Sequence, residues 1–308
     1  MATLSPPEAH QEGQEALAAL ALPLLQKAWA LFDPNLIEAS VERFRMAVQA
    51  VVEFYGRAAA AAALDHFKTS RAAAGIPGRA PSVPAPSIPE GFVDQLVTEA
   101  TALYSLDRPA GRDLLDSGAE QLILEQGRRQ MMSAARLDSA ARGWTRVPNE
   151  GACSFCLMLA LRGPVYKRRK SADFKAHHKK PDGSGGDCRC SAEPVFGEWE
   201  PTARVREAQR IWEKATKGRS GHDARTAFRQ AVEGREVTGA PGKSSVSRAG
   251  KGRKRENFKD AKSIDPIQFQ REQLRILSAL PPAKTPAAAE WRERRLAEIR
   301  DFLAANGE

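Results

Sequence analysis

Four cysteines in two close pairs constrain this chain more than any other feature of its sequence. Cys153 and Cys156 form a C-x-x-C pair, and Cys188 and Cys190 form a C-x-C pair after an intervening stretch of 31 residues. Zn²⁺ takes four sulfur or nitrogen ligands in a tetrahedron, and close pairs from two chain segments supply them readily. The spacing therefore predicts a small module that is closed by a structural zinc ion, with these four cysteines as ligands.

Two neighbouring histidines offer an alternative ligand. His177 and His178 lie between the two cysteine pairs, in the basic stretch KAHHKK. Either would give a Cys₃His set, which is also common in structural zinc sites. Of the two we include His177 with the four cysteines as a candidate ligand. The alternative interpretation is that both histidines are solvated side chains of a surface loop.

Other chemistries of paired cysteines fit the sequence less well. The first residues, MATLSPPEAH, lack the basic and apolar regions of a secretory signal, so we expect synthesis in the cytosol, where thiols stay reduced and disulfides are rare. A redox dithiol favours a βαβ context, which the sequence does not indicate. A zinc deaminase would carry H-x-E followed by P-C-x-x-C, and an HNH nuclease would carry a His-Asn-His series; neither pattern occurs.

Outside the cysteine module the sequence predicts a mainly α protein. Apolar residues recur at helical spacing through residues 12–73, with a turn at FDPN, and the tract AAAAAAL at 58–64 favours closely packed helices. Five prolines in residues 74–91 exclude a continuous helix there. The short run WTRVP is typical of a strand, so the cysteine module is predicted to be a small α+β unit. The helical region 92–143 is predicted to end with Gly143 as its C-cap.

These patterns divide the chain into seven segments. They are an N-terminal helical hairpin or bundle (1–73), a Pro-rich linker (74–91), a helical region (92–143), the cysteine-rich module (144–200), a helical extension (201–233), a basic flexible segment containing GKGRKR (234–285) and a C-terminal amphipathic helix (286–308).

The charge of the chain suits an acidic partner. The formal net charge is +9 and the pI is about 9.6, which favours contacts with DNA phosphates, although a charge spread this widely also simply keeps a protein soluble. The longest apolar run, ALAALALPLL, is short and contains Pro23, so no membrane partner is expected.

The strings GWTRVP, ACSFCLMLALRGPVY, FKAHHKK and DCRCSAEPVF resemble the phage Mu F-like head morphogenesis proteins, the minor capsid proteins of tailed phages, and in particular those of actinobacterial phages. With the N-terminal helices, the resemblance covers about residues 15–200. Relatives often place a histidine just before the C-x-C pair, where this chain has SGGD. The residues that match the family's motif are Trp144, Cys153, Cys156, Gly163, Tyr166, His177, Cys188, Cys190 and Pro194.

The resemblance implies a protein that is assembled in the host cytoplasm, built in few copies into the procapsid near the portal and retained inside the virion. Its partners would be the portal protein and the major capsid or scaffold protein, with packaged DNA facing the basic segments. Some related proteins are described as capsid maturation proteases, so a protease that cleaves capsid or scaffold protein is the alternative function.

The residues themselves do not indicate a protease. A serine protease needs a serine, a histidine base and an orienting acid. Ser154 lies between two candidate metal ligands, and His66, beside Asp65, is predicted to be a surface or packing residue of an alanine-rich helix. His10 and His222 are predicted to lie in flexible segments. We therefore assign no catalytic residue.

Overall fold

The computed structural model describes residues 4–89, 91–166, 188–237, 265–280, 282 and 286–307. His177, His178 and most of the predicted basic segment lie outside these residues. The prediction of a mainly α protein with a small α+β module is confirmed. The helices are α1 (Pro6–Ala28), α2 (Ile37–Ala73), α3 (Phe92–Leu106), α4 (Arg108–Leu137), α5 (Ser154–Ala160), α6 (Ala203–Thr216), α7 (Gly221–Val232), α8 (Pro266–Ala279) and α9 (Pro286–Ala305); the strands are β1 (Gly143–Val147) and β2 (Ser191–Val195).

The first two helices form an antiparallel pair whose ends are set by local signals. The carboxylate of Glu8 accepts a hydrogen bond from the backbone N–H of Ser5 at 3.2 Å, which caps the start of α1. A 3₁₀ turn, Trp29–Leu31, and the predicted turn at FDPN separate α1 from α2. Alanines 59, 60 and 63 are buried in α2, so the alanine tract is used for close helix packing as predicted.

The main core lies where α1 and α2 pack against α3 and α4. Trp29 anchors it: its ring stacks on Tyr104 with centroids 4.3 Å apart and contacts Phe44 at 4.5 Å. Asp107 caps α4 by accepting from the N–H of Ala110 at 3.1 Å. From there α4 crosses the body of the protein, packing on α1, α2 and α3 and on both strands.

The prediction that this helical region ends at Gly143 is wrong. Helix α4 ends at Leu137, because Asp138 turns the chain: its side chain accepts from the N–H of Ala140 at 3.0 Å and from Nε of Arg71 at 2.7 Å. Gly143 instead begins β1, with φ of +149°. A Cβ there would lie 2.9 Å from the carbonyl oxygen of Tyr166, so this close approach of two backbones requires glycine.

Strands β1 and β2 pair antiparallel, with Arg146 opposite Ala192 and Thr145 opposite Glu193. Because side chains alternate along a strand, Arg146 and Glu193 point to opposite faces of the sheet. Every residue of β1 is buried. The sheet is thus enclosed by α4, α5 and the two N-terminal helices.

The remaining segments pack around this body. Residues 76–89 run without helix along α4, where Gln130 donates to the carbonyl oxygen of Val83 at 3.3 Å and Arg129 to that of Ser87 at 2.7 Å. Helices α6 and α7 form a hairpin joined by Trp212 and Phe228. Helix α8 adds to the main core and α9 packs on α8. Within the described ranges, no helix is both long and apolar enough to cross a membrane.

Candidate metal centre

The C-x-x-C pair is shaped by the start of α5. Cys153 is the N-cap residue of this helix, and its sulfur accepts a hydrogen bond from the backbone N–H of Cys156 at 3.4 Å. The two residues between the cysteines make the first turn of the helix, which brings both side chains to its N-terminal end. Ser154 is the first residue of α5. The helix cap formed by Cys153 thus holds the C-x-x-C pair in a tight turn, here called a knuckle, as the sequence spacing predicts.

The C-x-C pair is held by an arginine from the middle of α4. Nε of Arg128 donates to the carbonyl oxygen of Cys190 at 2.9 Å, and its Nη2 donates to the carbonyl oxygen of Cys188. The side chain between the two cysteines, Arg189, forms a bidentate pair with Glu120 of α4, with N–O distances of 2.8 and 2.9 Å. Helix α4 therefore fixes the backbone of this pair immediately before β2 begins.

These two knuckles bring three sulfurs together. The Sγ atoms of Cys156, Cys188 and Cys190 all lie within 4.8 Å of one another, and those of Cys156 and Cys188 are 3.4 Å apart. All three residues are buried, and all four cysteines are free thiols. Cys153 is half-buried and contacts the trio through Cys156, but its sulfur lies outside the group of three.

A buried arginine lies against the sulfurs. Nη1 of Arg146 contacts the sulfurs of Cys156 and Cys188, each at 3.4 Å. Burial lowers the pKa of Arg146, but the neighbouring thiolates outweigh burial and hold this pKa above its ordinary value. The guanidinium therefore stays charged and favours negative charge on the cluster.

The surroundings of the cluster favour negative charge on one of its sulfurs. Hydrogen bonds from Cys156 and Cys190, with the charges of Arg128 and Arg146, lower the pKa of the Cys188 thiol well below its ordinary value. For Cys190, a hydrogen bond from Cys156 favours the thiolate, but the bond to Cys188 and burial outweigh it and raise the pKa to about 12. One sulfur of the trio is thus the preferred thiolate, and a bound metal would displace the protons of the others.

The donor set fits a thiolate-binding metal ion. In a tetrahedral zinc site with Zn–S bonds of about 2.3 Å, the sulfurs are about 3.8 Å apart, close to the separations found here. Three or four thiolates around Zn²⁺ leave a net negative charge, which Arg146 offsets. Cys156, Cys188 and Cys190 would be ligands, with Cys153 next to them as the nearest described candidate for the fourth position.

Other motif residues support this centre. The Trp144 ring lies against that of Tyr166, with centroids 5.0 Å apart, and the Tyr166 hydroxyl donates to the carbonyl oxygen of Leu159 in α5 at 2.7 Å. Gly163, with φ of +65°, lies against Trp199, and Pro194 pairs with Trp144 across the sheet. These contacts fix α5 relative to β1, and hence the first cysteine pair relative to the sheet.

The two arginines and a second cluster of polar side chains were not predicted from the sequence. The side chain of His10 is only 6% exposed, so its prediction as a flexible-segment residue is wrong; it contacts Glu193, as does His66. His222, by contrast, has an 83% exposed side chain. Arg146 and Glu193, each the one charged residue of a short strand, were the available signals, because buried charges in a strand need partners. Arg128 on α4 gave no such signal.

Comparison with known proteins gave one match. Residues 1–232 match the family model described as VG15 protein. No curated protein and no solved structure was found to match the chain. The matched range contains the helical body, both strands and all four cysteines.

Proposed function

Because the chain belongs to the VG15 protein family, a family of phage-associated proteins, we propose that it is a minor capsid protein that acts in phage head morphogenesis. The proposed role is structural. The chain is incorporated into the procapsid near the portal, and its helical body docks on the portal protein and on the major capsid or scaffold protein. The motif residues that resemble the Mu F-like proteins support this role.

The observation that carries the proposal is the burial of the sulfur cluster. Its three cysteines are buried. Arg128 of α4 donates to the backbone carbonyl oxygens of Cys188 and Cys190, and Arg146 of β1 donates to the sulfurs of Cys156 and Cys188. A reactive or catalytic centre needs an accessible thiolate or an open coordination position. A buried cluster instead stabilises the junction between the small sheet and the helical body, which suits a component that must survive DNA packaging.

We propose that the ion in this cluster is Zn²⁺, with Cys156, Cys188 and Cys190 as ligands and Cys153 completing the set. Zinc supplies a fixed tetrahedral cross-link without redox chemistry. Elemental analysis of the protein, purified under reducing conditions, should find zinc, and X-ray absorption should show a zinc–sulfur shell. Zinc content near zero, or an ion without sulfur ligands, would overturn the metal assignment.

The basic segments are proposed to face packaged DNA. The stretch SRAGKGRKREN is positively charged and contains no base-reading motif, so its contacts with DNA would be to phosphates. Binding should then be independent of sequence and should weaken steeply as salt increases. A fluorescence-anisotropy titration with two unrelated DNA duplexes at two salt concentrations tests this.

The geometry favours this role over the protease alternative. Among the described residues, the histidine with a serine and an acid beside it is His66, whose Nε2 lies 2.7 Å from Glu193 and 3.3 Å from the hydroxyl of Ser70. In a catalytic triad the serine and the acid contact opposite nitrogens of the imidazole. Here both partners face the same nitrogen, so a relay from acid through histidine to serine is not formed.

The deciding experiment is a gene deletion in the phage with mass spectrometry of the particles. We expect the protein in purified wild-type virions at low copy number. In the deletion, head assembly should fail or particles should lack DNA, while the capsid and scaffold proteins keep the same termini as in wild type. Loss of a specific capsid or scaffold cleavage in the deletion would favour the protease, and absence of the protein from virions would overturn the structural role.

A further inference from the structure

A second group of metal-ligating side chains lies on the face of the sheet opposite the sulfur cluster. A ring nitrogen of His10, a ring nitrogen of His66 and a carboxylate oxygen of Glu193 all lie within 4.8 Å of one another. The three side chains come from α1, α2 and β2, and they are 6%, 15% and 3% exposed. Three separate elements thus converge on one enclosed point.

Two imidazoles contact the single carboxylate of Glu193, although one imidazolium is enough to balance its charge. Nδ1 of His10 contacts Oε1 of Glu193, and Nε2 of His66 lies 2.7 Å from Oε2. The two rings stack with centroids 4.3 Å apart and an angle of 6° between their planes. One imidazolium would balance the carboxylate, and a second positive charge in contact with the first would be repelled. At least one ring is therefore held neutral, with a nitrogen able to bind a metal.

A glutamine fixes the proton of His10. The amide nitrogen of Gln14 donates to the carbonyl oxygen of Ala59 at 3.0 Å and lies 3.2 Å from Nε2 of His10. Because this nitrogen can only donate, Nε2 of His10 accepts, and the ring proton is on Nδ1, facing Glu193.

The same glutamine carries an unsatisfied group. Its Oε1 atom is buried without a hydrogen-bond partner, in space that exists only because residue 127 is glycine: a Cβ there would lie 2.2 Å from this oxygen. A buried acceptor without a donor is costly. If His10 bound a metal through Nδ1, its proton would move to Nε2, and the Gln14 amide could turn over to accept it through Oε1. The Ala59 carbonyl would keep its partner within α2.

We propose that His10, His66 and Glu193 bind a divalent transition-metal ion, with Zn²⁺ as the preferred ion, that ties α1 and α2 to β2. Imidazole and carboxylate ligands suit Zn²⁺ and its neighbours, and ligating histidines characteristically donate their other N–H to an acceptor, as His10 would to Gln14. With metal–ligand bonds of about 2.0–2.1 Å, donor atoms in a tetrahedron are about 3.3 Å apart. The 2.7 Å distance between His66 and Glu193 would need to lengthen by less than about 1 Å.

The enclosure of the cluster assigns the ion a structural role. All three side chains are largely buried, so the ion would cross-link elements rather than meet a substrate. Together with the sulfur cluster it would fix both faces of the sheet, one to α5 and the other to the N-terminal helices. The proposed head role does not depend on it, since the sulfur cluster is a separate site.

A cobalt titration tests the proposal on the full chain. Metal-stripped protein is dialysed against Co²⁺, and bound cobalt is measured together with the near-ultraviolet sulfur-to-cobalt charge-transfer band, which reports the cysteine site alone. We expect His66→Gln, which keeps an amide donor for Glu193, to bind one Co²⁺ fewer per chain than wild type with an unchanged charge-transfer band. Glu193→Gln should give the same result as His66→Gln. The control His222→Gln, at an exposed histidine, should bind as much Co²⁺ per chain as wild type.

Two results would overturn the proposal. The first is equal cobalt binding by wild type and His66→Gln, which would leave the cluster as hydrogen bonds only. The second is a loss of cobalt in His66→Gln that is matched by loss of the charge-transfer band, which would show that the substitution acts through the cysteine site. A missing band in wild type would count against the cysteine centre and leave this comparison intact.

Discussion

Arg146 and Glu193 occupy neighbouring cross-strand positions of the sheet, and their charges face opposite sides of it. Arg146 meets the sulfurs, and Glu193 meets the two histidines. Each is a buried charge whose partners come from other segments of the chain. A sheet of two short strands cannot bury enough apolar surface to be stable alone. Polar clusters on both faces therefore hold it in the helical body.

Arg128 should contribute more to stability than its neighbours on α4. Replacing it with methionine removes the donors to the carbonyl oxygens of Cys188 and Cys190 while keeping an apolar stem. We expect a loss of about 2–4 kcal/mol in the free energy of unfolding, because charged hydrogen bonds are lost and buried carbonyls are left unpaired. Urea denaturation followed by tryptophan fluorescence measures it.

The matched control for Arg128 is Arg129→Met. Arg129 donates to the carbonyl oxygen of Ser87 at an exposed site, so its replacement should cost less than about 1 kcal/mol. Equal effects of the two substitutions would show that the contact between α4 and the C-x-C pair does not stabilise the fold.

The corner between α3 and α4 should tolerate no side chain at residue 111. A Cβ on Gly111 would lie 2.4 Å from the backbone nitrogen of Tyr104, and backbone cannot move aside as a side chain can. We expect Gly111→Ala to destabilise the protein by about 2–3 kcal/mol. Gly13→Ala, on the exposed face of α1 with open space around it, should instead stabilise by up to about 1 kcal/mol. Thermal unfolding of both variants checks the opposite signs.

Local patterns predicted the helices and the grouping of the cysteines into two pairs, because both depend on residues close in sequence. Apolar spacing predicted α1, α2 and α9, and the C-x-x-C spacing predicted the knuckle at Cys153. The predicted end of α4 was wrong because glycine is a usual C-cap residue, which favoured Gly143. The actual turn depends on Asp138 and on Arg71, which is distant from it in sequence.

The second cluster depends on contacts that no local pattern reveals. His10 lies 183 residues from Glu193 in sequence, and His66 lies 127 residues from it. Their meeting follows from the packing of α1 and α2 against β2, and packing is decided by the whole core. A histidine on a helix carries no sign of such a partner, whereas Glu193 in an apolar strand does indicate that one exists.

The contribution of Asp116 to the free energy of unfolding should decrease as pH rises. Burial, with repulsion from Asp113, raises the pKa of the Asp116 carboxyl, and its Oδ1 has no hydrogen-bond partner. The folded state thus favours the protonated acid. Its contribution is fully present below the ordinary aspartate pKa of about 3.9 and is lost as pH rises through the raised value.

The substitution Asp116→Asn should therefore stabilise the protein near neutral pH, by about 0.5 kcal/mol because the group is partly exposed. The gain should shrink as pH falls toward about 4, where wild type is increasingly protonated. Urea denaturation at several pH values gives the comparison. A gain that stays constant with pH would show that the effect is not one of ionisation.

The fourth ligand of the cysteine centre should be Cys153 rather than His177. Its sulfur already accepts the backbone N–H of Cys156, which holds it beside one member of the buried trio. We expect Cys153→Ser to weaken zinc affinity about 100-fold or more, and His177→Ala to change it by less than threefold. Competition with a chromophoric chelator measures both affinities. Cys188→Ser, which removes a member of the buried trio, should lose the ion altogether and is the reference for complete loss. If His177→Ala instead weakens zinc affinity more than Cys153→Ser does, the site is Cys₃His.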